Sequence, residues 1–436
     1  MALPPHPTLS LELISQILRR DLELEPSSFV EEIPQPETAK VRTSLYRAAE
    51  VTTLVRIEET EDEQGRVTAK ATDAVSMVVQ TSDHAKLLEH FPKAELIARD
   101  LFVLDFENPE GKYSDYIHSA DPVALFKQFA AGEGLSHGLV ELNSFITLPE
   151  TERTPVNRPQ WSANFIHLPA ALQKSRGEGV VVAILDSGIS AHQQFVGAII
   201  LPGTNVAATG GTVNDTRGHG TKCAGNIIAQ GNHGLLGTAP GCSLLPIKIT
   251  GNTTSTLSSI AAKGILCAQE QHAQIISISY SFTLETGCLE IAMRQQPDIL
   301  FVVAAGDRTS AITDVAPIYP ASFGLDNTLS VIGCTDAGER ATRSTFDGSG
   351  RFAHIAAPGQ DIECCVPGGN GATFGTSGTS VAAPQVAGVC ALIWTRTPNA
   401  SVRQIKERVL LQAHETLGLL GTCRTNGHVD ADAAVP

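Results

Sequence analysis

Val180-Val181-Val182-Ala183-Ile184-Leu185-Asp186-Ser187-Gly188 decides the class of fold. An unbroken apolar run of this length, rich in valine and closed by Asp-Ser-Gly, reads as a strand buried on both faces. It delivers an aspartate at its carboxyl end. Comparable apolar strands are expected at 243–250, 274–280 and 298–305, with helical stretches near 257–271 and 285–296 and a last helix near Ser401–Ala413. Continuous apolar strands that alternate with helices predict an α/β domain, a doubly wound parallel sheet covered on both faces. In such sheets functional groups gather at the carboxyl ends of the strands, where Asp186 and Asp307 both fall.

Two further stretches supply partners for Asp186. Gly218-His219-Gly220-Thr221 opens a run of small residues with a histidine at its head, and Gly378-Thr379-Ser380-Val381-Ala382-Ala383-Pro384 carries a serine. The intervals are 219 − 186 = 33 and 380 − 219 = 161 residues. Each piece alone has a plain explanation: a turn, a loop histidine, a Gly-Thr-Ser that this chain repeats at Gly375-Thr376-Ser377. Together they form a chemical set. A serine hydroxyl is a weak nucleophile and needs an adjacent base. His219 would take its proton and return it to the leaving amine, while Asp186 fixes the imidazole tautomer and stabilises its cation. Ser380 would begin an apolar helix through Val386, Val389 and Leu392, whose start favours developing negative charge. Pro384 is expected within the first turn, where a missing N–H does no harm.

The order Asp, His, Ser resembles that of the subtilisin-like serine proteases, and the resemblance extends from about Gln160 to Ala413. Pro159-Gln160-Trp161 stands where the family's mature domain commonly begins, and Gly237-Thr238-Ala239-Pro240 is similar to its Gly-Val-Ala-Pro loop. Ile275-Ile276-Ser277-Ile278-Ser279-Tyr280, Ala304-Ala305-Gly306 and Ala356-Ala357-Pro358-Gly359 resemble three more landmarks. The resemblance implies an endopeptidase working through an acyl-enzyme on Ser380. It implies substrate-pairing segments at Thr254-Ser255-Thr256-Leu257 and Ser279-Tyr280-Ser281, where a peptide adds as a strand. The specificity pocket is then expected between Ser279-Tyr280-Ser281 and Ala304-Ala305-Gly306-Asp307.

One position departs from the pattern. Where the family usually places an asparagine that donates to the oxyanion, this chain has Asp307. An ionised carboxylate has no proton to donate and repels the oxyanion. Losing such a donor costs about 100- to 1,000-fold in turnover, a figure that comes from this same family. A protonated Asp307 would restore the donor if burial raises its pKa. Two readings stand: an active enzyme that is slow, selective or favoured by mild acid, and a pseudoprotease or peptide-binding module with little catalysis.

No cofactor is expected. Many members of the family hold calcium near the segments that match His192-Gln193-Gln194 and Asn232-His233-Gly234, which here contain no carboxylate, so no tight site of that kind is expected. A net charge of −15 argues against nucleic acid and acidic membrane as partners, and the resemblance implies peptide or protein substrates. The first residues lack a basic start and apolar stretch, and the nine cysteines, an odd number, lie without metal-ligand spacing from Cys223 to Cys423. Reduced thiols and a cytoplasmic location are expected. Cys223, four residues past His219, is read as a small core residue.

With 436 residues, two domains are the expectation, with boundaries at 1–40, 41–150 and 151–436. Residues 1–40 are rich in proline and glutamate and hold one amphipathic helix from about Ser10 to Arg20. Strands are expected at 52–57, 75–79, 101–106 and 139–146, and a helix over 121–132 capped by Ser119 or Asp121. This α+β texture resembles the family's pro-domain, which implies a self-inhibited precursor (a zymogen) whose own N-terminal domain is the inhibitor. The linker from about Thr147 to Arg158 suits cleavage. A permanent recognition domain is the competing view.

Overall fold

A ten-stranded sheet carries the C-terminal part of the computed structural model, which describes residues 41–47, 54–61, 67–106, 122–148, 160–208, 210–232, 234–251, 255–367 and 373–436. The chain divides into two compact units. One holds the residues up to Phe145 together with Gly251–Ser259, and the other runs from Ile146 to Thr250 and from Ile260 to Pro436. The helix expected at Ser10–Arg20, its flanking segment and the caps Ser119 and Asp121 lie outside the described residues, as does most of the linker.

In the larger unit the strand order is Thr204–Asn205, Ser243–Lys248, Val181–Asp186, Ile275–Ile278, Leu300–Ala304, Thr328–Cys334, Ile355–Pro358, Gly427–His428, His414–Glu415, with Ile199–Ile200 also on Ser243–Lys248. All pairings are parallel except the last, His414–Glu415 with Gly427–His428. The aspartate strand is central, paired to Ser243–Lys248 on one side and Ile275–Ile278 on the other. This is why it reads as continuously apolar: a strand hydrogen-bonded on both edges and covered on both faces has no solvent side.

Helices follow the expected places: Ser258–Glu270, Gly287–Arg294 and Val402–Leu411, the last opened by a Ser401–Gln404 capping box. The central element is the helix Thr379–Arg396, buried from Thr379 through Trp394. It packs on the helix His219–Ile228 and on the strands Ile275–Ile278, Leu300–Ala304, Thr328–Cys334 and Ile355–Pro358. Val386, Val389 and Leu392 are fully buried, and each contributes about 1.5–3 kcal/mol of burial free energy. A helix so apolar all round belongs inside a protein, here as the pillar that carries Ser380.

The position of Pro384 corrects the sequence reading. It is the sixth residue of the helix, not a first-turn residue. At that depth its missing N–H removes the bond to the carbonyl four residues back, which is that of Ser380.

The smaller unit is α+β. Its six-stranded antiparallel sheet has the order Val41–Arg47, Leu54–Glu61, Val67–Gln80, Leu101–Phe106, Glu95–Ala98, with Val140–Leu142 also paired to Val67–Gln80. The helix Pro122–Glu133 buries Phe126 and Ala130 against Met77, Val79, Phe102 and Leu104. The expected strand 139–146 is two strands, Val140–Leu142 and Phe145–Thr147, interrupted at Asn143. There the Asn143 amide donates to the Ser259 hydroxyl at 2.8 Å and accepts from the Ser259 N–H at 3.2 Å. No helix among the described residues is long and apolar enough to cross a membrane.

Candidate active site

Asp186 ends its strand completely buried, and His219 begins its helix, also buried. The two meet. His219 Nδ1 lies 2.8 Å from Asp186 Oδ1 and 2.9 Å from Oδ2. A carboxylate there can only accept, so Nδ1 carries a proton, and Nε2 is an acceptor whenever the imidazole is neutral. Nε2 is buried and has no hydrogen-bond partner. Ser380 Oγ is therefore not hydrogen-bonded to Nε2 in this structure. Burial works against the imidazolium, but the facing Asp186 carboxylate outweighs it and holds the His219 pKa well above the ordinary histidine range.

Ser380 is the second residue of its helix and 4% exposed. Cys223 links it to the histidine. One turn beyond His219, its sulfur sits 3.9 Å from His219 Nδ1 and donates to the Ser380 carbonyl at 3.5 Å. That carbonyl is the one Pro384 leaves without its helical partner. Cys223 therefore does more than fill space, although burial pushes its thiol pKa up and keeps it a neutral donor. Among the described residues, Asp186, His219 and Cys223 are the only trio whose ligating atoms approach within 4.8 Å. The carboxylate and imidazole are already bonded to each other, and all nine cysteines are free.

A second carboxylate, missed by sequence reading, organises this corner. Asp215 is buried, with Oδ1 accepting from Ser187 Oγ at 2.9 Å, Arg217 N at 3.0 Å and Gly218 N at 2.7 Å. Its Oδ2 accepts from Thr221 N at 2.8 Å and Thr221 Oγ1 at 2.7 Å. The buried Lys248 ammonium donates to the carbonyls of Ser187 at 2.7 Å and Asn214 at 2.9 Å. Burial lowers the Lys248 pKa, while Asp215 and Asp186 oppose the shift. Asp215 thus ties the residue after Asp186 to the first turn of the histidine helix. The available signal was a carboxylate four residues before His219.

The subtilase family model matches residues 177–431 of this chain. The chain is a subtilase. It is 33% identical to alkaline elastase YaB of Bacillus sp. (strain YaB) over 351 residues, covering 77% of this chain and 88% of the relative. It is 31% identical to thermitase of Thermoactinomyces vulgaris over 278 residues, 63% of this chain and 95% of that one. The fold is shared with MycP1 from Mycobacterium smegmatis at a TM-score of 0.55 and 20% identity, over 67% of this chain and 90% of that one. The protein is a subtilisin-like serine endopeptidase.

The residue expected at the oxyanion position is engaged in a way the sequence does not foretell. Asp307, three residues past its strand, points at the serine helix. Its Oδ1 accepts from Thr379 N at 2.7 Å and from Thr379 Oγ1 at 2.8 Å. The same hydroxyl accepts from Gly306 N at 3.1 Å. Asp307 thereby caps a helix whose own N-cap, Gly378, has no side chain to offer. Gly378 has φ 148°, and a Cβ there would stand 2.7 Å from Asp307 Oδ2, so no other residue fits. Burial raises the Asp307 pKa, against the Thr379 hydrogen bonds and the positive charge of Arg343, which lower it. Of the first N–H groups of the helix, that of Ser380 makes no hydrogen bond among the described residues.

The substrate-segment residues are divided. Thr254 lies outside the described residues, while Ser255 and Thr256 belong to the strand Ser255–Leu257 of the smaller unit. The strand Ile275–Ile278 ends before Ser279, so Ser279-Tyr280-Ser281 is not part of it. Ser279 and the Tyr280 ring are buried, leaving Ser281 half-buried beside Gly306. At the segments matched to the family's calcium sites, His192 Nδ1 accepts from Gln194 N at 3.2 Å; His233 lies outside the described residues.

Proposed function

We propose that this subtilase hydrolyses peptide bonds through an acyl-enzyme on Ser380, with His219 as base and then acid and Asp186 as its orienting carboxylate. The observation that carries the reading is the buried Asp186–His219 pair, in which Nδ1 is pinned by the carboxylate and Nε2 is left free for the serine proton. Attack by Ser380 Oγ on the scissile carbonyl passes its proton to Nε2, and the imidazolium returns it to the leaving amine. Water then repeats the cycle on the ester. The oxyanion would receive the Ser380 N–H and a proton on Asp307 Oδ2, since Oδ1 is engaged by Thr379.

A weakly catalytic peptide binder is the second reading, and one observation favours it: a carboxylate capping a helix N-terminus is stabilised in its ionised form. The enzyme is further read as a cytoplasmic, self-inhibited precursor. Nine unbridged cysteines support the compartment. The α+β N-terminal unit supports the precursor, alongside a solved MycP1 structure described as having its N-terminal propeptide removed.

Intact mass of the wild type beside Ser380→Ala, after incubation at mildly acidic and neutral pH, tests both points. Cleavage near residues 147–160 in the wild type alone is expected. Two uncut proteins, with no labelling by a serine-reactive phosphonate, would establish the binding module instead.

A further inference from the structure

Gly306 has no side chain, yet the room beside it is filled. A Cβ at this position would stand 2.9 Å from Ile318 Cγ2, 3.2 Å from Ser281 Oγ and 3.5 Å from Thr345 Oγ1. Gly306 cannot move away from them. Its N–H is held by Thr379, the neighbour of Ser380, and its carbonyl accepts from Thr345 Oγ1 at 2.7 Å and Thr345 N at 2.9 Å. Ile318 and Ser281 are themselves fixed, because the segments that bear them are joined by paired main-chain bonds. Phe282 N donates to Tyr319 O at 2.9 Å, and Tyr319 N to Phe282 O at 2.7 Å. Ile318 N also donates to Ser322 Oγ at 3.0 Å, and the side chain is 3% exposed, in one cluster with Ala305 and Ile332.

The segments Ser279–Ser281 and Ala304–Asp307 were assigned to the walls of the pocket for the residue that supplies the scissile carbonyl. A flat aromatic side chain between two walls needs about 3.5–4 Å of clearance on each face. Ser281 Oγ already stands 3.2 Å from where even a methyl group on Gly306 would lie, and Ile318 Cγ2 stands 2.9 Å from the same point.

We propose that Ile318 and Ser281 occlude this pocket, making the enzyme selective for a small residue (glycine, alanine or serine) on the carbonyl side of the scissile bond. The inference rests on the reading of Ser380 as nucleophile. A side chain larger than a methyl group would have to displace a buried isoleucine packed in the core, and such overpacking is resisted. Removing the Ser281 hydroxymethyl opens the neck; shortening Ile318 deepens the floor.

Three reagents on the full chain separate the two claims. A fluorophosphonate without a peptide should label Ser380 whatever the pocket holds. Two peptidyl phosphonates that differ only in a terminal alanine or phenylalanine analogue should label at rates at least about 100-fold apart, alanine faster. Ser281→Gly and Ile318→Ala should each narrow that ratio by about tenfold or more; Ser281 is half-buried, so its variant decides if Ile318→Ala does not fold. A wild-type phenylalanine rate within threefold of alanine overturns the proposal, as does a ratio unmoved in the folded variants. Failure of the plain fluorophosphonate would instead remove the nucleophile on which the proposal rests.

Discussion

Asp186 and Asp307 sit at the carboxyl ends of parallel strands with only the strand Ile275–Ile278 between them, yet they meet opposite partners. Asp186 faces an imidazole and is useful as an anion. Asp307 faces the start of the serine helix, where its Oδ1 accepts two hydrogen bonds from Thr379 and burial raises its pKa. In the proposed mechanism the same side chain at equivalent places in one sheet thus serves opposite electrostatic ends: one stays charged, and the other is neutral to donate. What differs is the partner each strand end meets, a consequence of the tertiary fold.

The largest test of this contrast is Asp186→Asn, which keeps the shape and removes the charge. The turnover should fall about 10⁴-fold, because the imidazole loses its fixed tautomer. Peptidase assays across pH would show it, and a loss under tenfold would mean that Asp186 is not the orienting group. The mirror substitution has the opposite sign. Asp307→Asn supplies an amide donor that needs no proton, so turnover at neutral pH should rise about 100-fold.

The pH profile should change with it. His219 acts as base only when neutral, so activity is gained as pH rises through its raised pKa. Asp307 donates only when protonated, so activity is lost as pH rises through its own. The wild type is expected to be bell-shaped, and Asp307→Asn should erase the alkaline limb alone. An alkaline limb that survives in this variant belongs to another group.

Thr379→Val gives the smallest effect. It deletes one hydrogen bond to the Asp307 anion, so the Asp307 pKa should rise further and the alkaline limb should move up by about one pH unit or less. A limb that moves down instead would show that Thr379 stabilises the neutral acid.

Much of this is legible in the amino-acid sequence. The Asp186–His219 pair and the parallel sheet follow from apolar runs such as the one that ends in Asp186 and from small residues flanking His219, patterns that are local in sequence. The strand Val41–Arg47 was not foreseen, since a stretch such as Arg42-Thr43-Ser44 carries no clear alternation. Nor was the double use of Thr379, which depends on Asp307 arriving from 72 residues away. Pro384 lies deeper in the helix than expected, because the helix begins at Thr379 and the proline is its sixth residue. Ile318 was invisible for the same reason as Asp215: its role is set by what it packs against, and an isoleucine before a tyrosine announces only a core.

The strand order has a consequence for the birth of the enzyme. Asp186 is clamped between strands that begin at Ser243 and Ile275, and the pillar that carries Ser380 begins only at Thr379. No fragment of the chain ending before that helix holds Ser380, the proposed nucleophile, and parallel pairings this distant in sequence close slowly. Peptide-cutting power therefore appears at the end of folding. A covalent tag on Ser380, followed over time during refolding, would count finished molecules one by one and date the moment at which the enzyme first becomes dangerous to its neighbours.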